Sequence, residues 1–110
     1  MKLAMLNCLK SNTVCTGAAC LRAFLQREKS FADYTEESVE LVAFMRCNGC
    51  GKPVEKDAGM LEKMDRLKSI GVDVVHLGVC TKNNGVECDT ITRIAQCLSQ
   101  RGIKVVRGTH

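Results

Sequence analysis

Eight cysteines and two histidines in 110 residues are the side chains of this sequence best equipped for chemistry. The cysteines are Cys8, Cys15, Cys20, Cys47, Cys50, Cys80, Cys88 and Cys97, and the histidines are His76 and His110. A thiolate is a nucleophile and a soft metal ligand, and two thiols can instead be oxidised to a disulfide. Which of these applies depends on the compartment. Met1-Lys2-Leu3-Ala4-Met5-Leu6 is too short for the apolar region of a secretory leader and runs straight into a strand pattern. The chain therefore reads as cytoplasmic, where disulfides are rare and cysteine clusters bind metal or do redox work. A secreted disulfide scaffold would be loop-rich, whereas this chain has a regular apolar core pattern.

The most compact motif is Cys47-Asn48-Gly49-Cys50, in which small residues form a tight turn and let two sulfurs chelate one ion. Zinc ribbons carry two such pairs, and this chain carries one, so further ligands must come from distant loops. Soft thiolates suit Zn²⁺ or an iron–sulfur cluster. The spacings match none of the common ferredoxin runs, and no haem-attachment motif is present.

The elements that must position these residues follow from apolar periodicity. Lys2–Cys8, Val39–Arg46, Val72–Val79 and Ile103–Arg107 are short apolar, β-prone runs. Between them lie three helical patterns. The first runs from Gly17 to about Lys29, with Leu21, Phe24, Leu25 and Glu28 at helical spacing. The second is capped by Asp57, turns Leu61, Met64, Leu67 and Ile70 inward and stops at Gly71. The third runs from about Asp89 to Arg101, with Ile91, Ile94, Ala95 and Leu98 on one stripe. Ser11–Thr16, Ser30–Ser38, Asn48–Pro53 and Thr81–Glu87 read as polar connections.

The order β-α-β-α-β-α-β predicts an α/β fold, a small four-stranded parallel sheet doubly wound in the Rossmann or flavodoxin manner, with strand order 2-1-3-4. Residues 1–110 are expected to form one domain. In such a sheet every strand ends at the same edge, where open α/β folds bind ligands. Cys8, Cys47 and Cys80 end the first three strands, and His110 lies just past the fourth. Cys15, Cys50 and Cys88 follow in the loops, and Cys20 sits in the first turns of a helix whose N-terminus faces that edge. Thiolates gathered this closely repel one another, and a shared cation relieves the repulsion.

These residues also carry a resemblance. A strand-terminal Cys8, Cys15 seven residues on, Cys47-Asn48-Gly49-Cys50 followed by Gly51-Lys52, His76-Leu77-Gly78-Val79-Cys80, Cys88 and the closing Thr109-His110 resemble the CGGC-domain family of small cysteine-rich prokaryotic proteins. The resemblance covers nearly the whole chain. It implies metal binding, zinc first, and implies no particular reaction. Two positions depart from the family pattern. Asn48 replaces the glycine of the family motif, a change that a positive-φ turn tolerates. Cys88 is followed by Asp89-Thr90 where the family often has Pro-His, which leans the ligand set toward sulfur.

The metal candidates are thus Cys8, Cys15, Cys20, Cys47, Cys50, Cys80, Cys88 and His110. For Cys20, ligation competes with the ordinary role of a small buried helix residue. Cys97 falls off the helical stripe and away from the edge, which makes it structural. His76, between Val75 and Leu77, reads as a hydrogen-bonded core histidine. Lys52 and Lys82 either balance an anionic cluster or are solvated.

Three functions compete: a zinc-binding module, an iron–sulfur electron-transfer protein, and a thiol–disulfide oxidoreductase using Cys47 and Cys50. The last lacks the thioredoxin arrangement, because Gly51 to Lys56 separate the motif from the next helix and the only proline, Pro53, lies inside the loop. The net charge of +4 is scattered and aromatics are only 4%, so nothing resembles a nucleic-acid surface. No stretch approaches the roughly 18 apolar residues of a membrane span.

Overall fold

The computed structural model describes residues 1–110. Four strands, β1 (Lys2–Asn7), β2 (Glu40–Arg46), β3 (Val74–Leu77) and β6 (Lys104–Arg107), form one parallel sheet in the order β2-β1-β3-β6. This is the predicted doubly wound α/β arrangement, with the 2-1-3-4 order among the four main strands. Three helices connect them: α1 (Ala18–Gln26), α2 (Ala58–Ser69) and α3 (Asp89–Gln100). A two-stranded antiparallel hairpin, β4 (Lys82–Asn83) and β5 (Val86–Glu87), is inserted after β3.

Strand alternation divides the core into two layers. Ala4, Leu6, Val75 and Leu77 face α2 and α3, packing with Met60, Met64, Leu67, Ile91, Ile94 and Leu98. Leu3, Met5 and Val74 face the opposite side, against Cys20, Ala23 and Phe24 of α1 and Phe31. The two helical layers thus cover both faces of the sheet.

Asp57 caps α2 as expected, accepting a hydrogen bond from the Met60 amide at 3.1 Å. In α1 the inward face differs from the predicted stripe: Cys20, Ala23 and Phe24 are buried, whereas Leu25 is 72% exposed. The reason lies in the next segment, which the sequence presents as a polar connection. Lys29–Tyr34 forms a 3₁₀ turn that drives Phe31 fully into the core. Phe31 meets Phe24 edge-on with ring centres 5.6 Å apart, and this contact fixes which side of α1 faces the sheet. Ile70 is likewise exposed rather than turned inward, because α2 ends at that residue.

His76 is a core histidine, as predicted, and is fully buried. Its Nδ1 lies 2.9 Å from the Gly108 carbonyl and its Nε2 2.8 Å from the Tyr34 hydroxyl. A carbonyl only accepts, so Nδ1 carries the proton and the neutral Nε2 accepts from Tyr34. Burial holds the His76 pKa below its ordinary value, and the charge of Lys104 acts in the same direction.

Candidate metal centre

The carboxyl ends of β1 and β3 lie side by side, where the winding of the sheet reverses direction, and the chain leaves both in tight contact. The Gly78 amide donates to the Leu6 carbonyl at 2.9 Å. The Cys8 amide donates to Cys80 Sγ at 3.2 Å, tying the two strand-end cysteines together. The Cys80 thiol also faces the buried Asn7 amide oxygen at 3.7 Å. Asn7 is a site residue that was not singled out in the sequence. Its signal was a polar side chain at the end of an apolar strand, directly before a cysteine.

From this point an open cleft of about 690 Å³ extends between the loops after β1, β2 and β3. Cys8, Cys50, Cys80 and Cys88 line it, together with Lys10, Ser11 and Glu87. Cys50 Sγ and Cys88 Sγ stand 4.0 Å apart across it, although 38 positions separate them in the chain. Cys88 is the N-cap residue of α3. Its sulfur completes no capping hydrogen bond, but the amide dipoles of Ile91 and Thr90 at the start of the helix favour its thiolate, and Cys50 adds to this. The Cys88 thiol therefore titrates below its ordinary value. Cys50 titrates above its own, because its S–H donates to Cys88 and because the charge on Cys88 opposes a second thiolate beside it.

The two cysteines of the central motif are treated differently. Cys47 continues the β1–β2 pairing through its amide, which donates to the Asn7 carbonyl at 3.0 Å. Its side chain is buried, and its sulfur accepts from the Leu9 amide at 3.3 Å. Lys63 pins the residues on either side, donating to the Arg46 carbonyl at 2.8 Å and to Asn48 Oδ1 at 2.7 Å. Cys50 is exposed. Its nearest sulfur partner is Cys88, while Cys47 is near enough for its charge to raise the Cys50 pKa further.

Cys15 and Cys20 belong to the α1 side of the same edge. Cys15 Sγ accepts from the Gly17 amide at 3.3 Å. Cys20 is buried, its sulfur 3.1 Å from the Thr109 hydroxyl, and burial pushes its thiol upward. Cys80 and Cys15 raise the Cys20 pKa further, and the Arg46 guanidinium opposes them. Arg46 Nε is buried without a hydrogen-bond partner. His110 is exposed and borders a second, smaller cavity of about 260 Å³ with Ser30, Lys82 and Arg107. Cys97 is 4% exposed and packs in the core beside Leu98, so it lies on the buried stripe of α3 rather than off it. Its structural role stands.

All eight cysteines are free. Cys50 and Cys88 suit a metal pairwise. Tetrahedral zinc with Zn–S bonds of about 2.3 Å sets its sulfurs about 3.8 Å apart, close to the 4.0 Å found here. No three Cys, His, Asp or Glu side chains are yet disposed to hold an ion together. A third and a fourth donor would have to turn into the cleft from its walls. Cys8 and Cys80 are the other two cysteines that line it.

The fold and this edge define a class: a doubly wound α/β module whose carboxyl sheet edge is furnished with thiols. The CGGC domain family model matches residues 2–110, and the chain belongs to that family. Its family and its eight cysteines are compatible with metal binding. No curated protein and no solved structure matches the chain. No helix is long and apolar enough to cross a membrane.

Proposed function

We propose that this protein binds zinc through thiolates of the cleft, with Cys50 and Cys88 as the first pair and Cys8 and Cys80 completing the shell. The observation that carries this reading is the 4.0 Å separation of Cys50 and Cys88 Sγ at the mouth of a cleft lined by two more cysteines. Amide donors to sulfur support it. Cys80, Cys47 and Cys15 each receive a backbone N–H, which orients the sulfur. Cys15, Cys20, Cys47 and His110 are the donors from which a second ion, or a larger cluster, would be assembled. A reducing, cytoplasmic setting suits eight free thiols.

Cobalt substitution tests the ligand set. Thiolate-to-cobalt charge-transfer absorption is expected in the native protein and should weaken stepwise in Cys50→Ser, Cys88→Ser and Cys80→Ser. Full retention in all three would overturn the assignment. Binding of iron with inorganic sulfide in place of zinc would replace it with an iron–sulfur site.

A further inference from the structure

We propose that Cys50 and Cys88 close into a reversible disulfide by exchange with a small-molecule disulfide entering the cleft. Four features of the geometry support this pairing. The two sulfurs are already 4.0 Å apart, and a bond needs about 2.05 Å, so the gap to close is about 2 Å. Cys50 is exposed and sits between Gly49 and Gly51, whose φ values are 95° and 133°. Nothing lies within 4 Å of where a Cβ on Gly51 would be, so this part of the loop has room to move. Cys88, by contrast, is fixed. Its amide donates to the Thr81 carbonyl at 3.0 Å, and its carbonyl accepts from the Thr92 amide at 2.9 Å in the first turn of α3.

The competing partners are held elsewhere. Cys47 is buried and bonded to the Leu9 amide, with Lys63 anchoring its flanks. Cys80 is engaged by the Cys8 amide and faces Asn7. The Cys47–Cys50 pair suggested by the motif is therefore the less direct route to a disulfide. The cleft, at about 690 Å³, falls in the range of small-ligand sites and can admit a disulfide of peptide size.

The chemistry balances through a mixed disulfide. The Cys88 thiolate attacks one sulfur of RSSR, forming Cys88–S–SR and releasing one RS⁻. Cys50, losing its proton, then attacks Cys88 Sγ, forming the Cys50–Cys88 bond and releasing the second RS⁻. Two protein thiols give up two electrons and two protons, and RSSR becomes two RSH. One consequence rests on the zinc reading: a disulfide sulfur is no longer a thiolate ligand, so oxidation would expel the ion. The cleft would then release metal when the thiol–disulfide balance turns oxidising.

The test uses the full chain, reduced, stripped of metal with a chelator and incubated anaerobically with glutathione and glutathione disulfide. Free thiols are then alkylated and the peptides mapped by mass spectrometry. The expected result is loss of two free thiols per chain, a cross-link joining the Cys50 and Cys88 peptides, and its reversal by dithiothreitol. In Cys50→Ser, glutathione should remain trapped on Cys88, with circular dichroism confirming the fold. Cys50 and Cys88 remaining fully alkylatable, or a cross-link from Cys50 to Cys47, would overturn the proposal. Zinc content of the reduced chain, measured separately, tests the other reading. A cross-link in a chain that never binds zinc would overturn the metal assignment alone. Zinc retained after the cross-link forms would overturn the coupling.

Discussion

Replacing Gly78 with alanine tests how the strand ends that carry Cys8 and Cys80 are held together. Gly78 has φ −62° and ψ 155°, a conformation open to any residue, so glycine is not required by the backbone. It is required by its neighbours. An added Cβ would fall 1.9 Å from Asn7 Oδ1, 3.1 Å from Asn7 Cγ and 3.3 Å from Cys80 Sγ. Asn7 is 2% exposed and has no free space to turn into, so a shift of more than about 1 Å must be absorbed by packed atoms. Overpacking of this kind costs about 1–3 kcal/mol. With an unfolding entropy of about 2.1 cal/mol/K per residue over this chain, the melting temperature of Gly78→Ala should fall by about 4–13 °C. Calorimetry of the metal-free, reduced protein reads this directly. Asn7→Ala removes the obstructing amide, so in that background Gly78→Ala should cost less than about 0.5 kcal/mol. An equal cost in both backgrounds would refute the reasoning, since the clash would then lie elsewhere.

Two further outcomes follow from the core. His76 binds its proton more weakly folded than unfolded, so between its lowered value and about 6.5 the unfolded chain carries the extra proton. Stability should therefore decline as pH falls below about 6.5, by up to about 1.4 kcal/mol per pH unit, and level off below the folded value. Denaturant titrations at several pH values should show this slope in the native protein and its loss in His76→Gln, and an unchanged slope would remove His76 as its source. Cys97→Ser places a hydroxyl in the apolar core and should cost about 1–3 kcal/mol while leaving metal content unchanged. A fall in bound metal would show that Cys97 takes part in binding.

Much of the sheet was legible in the sequence because its strands are nearly continuous apolar runs, as burial on both faces demands. Once the strands were placed, parallel topology alone sent Cys8, Cys47 and Cys80 to one edge. What the sequence left open depended on distant contacts. Leu21 and Leu25 match a helical stripe, yet the inward face of α1 is set by Phe31, which arrives from a segment rich in polar residues. Asn84-Gly85 reads as a loop, and the structure gives it two-residue strands on either side, Lys82–Asn83 and Val86–Glu87. The Cys50–Cys88 approach spans 38 positions and depends on where that hairpin and α3 set Cys88. The motif spacing directs attention to Cys47, four ångströms of sulfur–sulfur contact directs it to Cys88, and only the folded chain distinguishes them. His76 was readable because a lone polar residue inside an apolar strand must find partners, and Tyr34 and Gly108 supply them.

The central claim is that the thiols at this sheet edge hold zinc. Elemental analysis of protein purified without oxygen tests it most directly, alongside the same measurement on a Cys50→Ser/Cys88→Ser double variant whose fold is checked by circular dichroism. The account predicts a colourless native protein with stoichiometric zinc, and a folded double variant that has lost that zinc. A native protein free of metal, or a folded double variant that keeps its full zinc content, would contradict it.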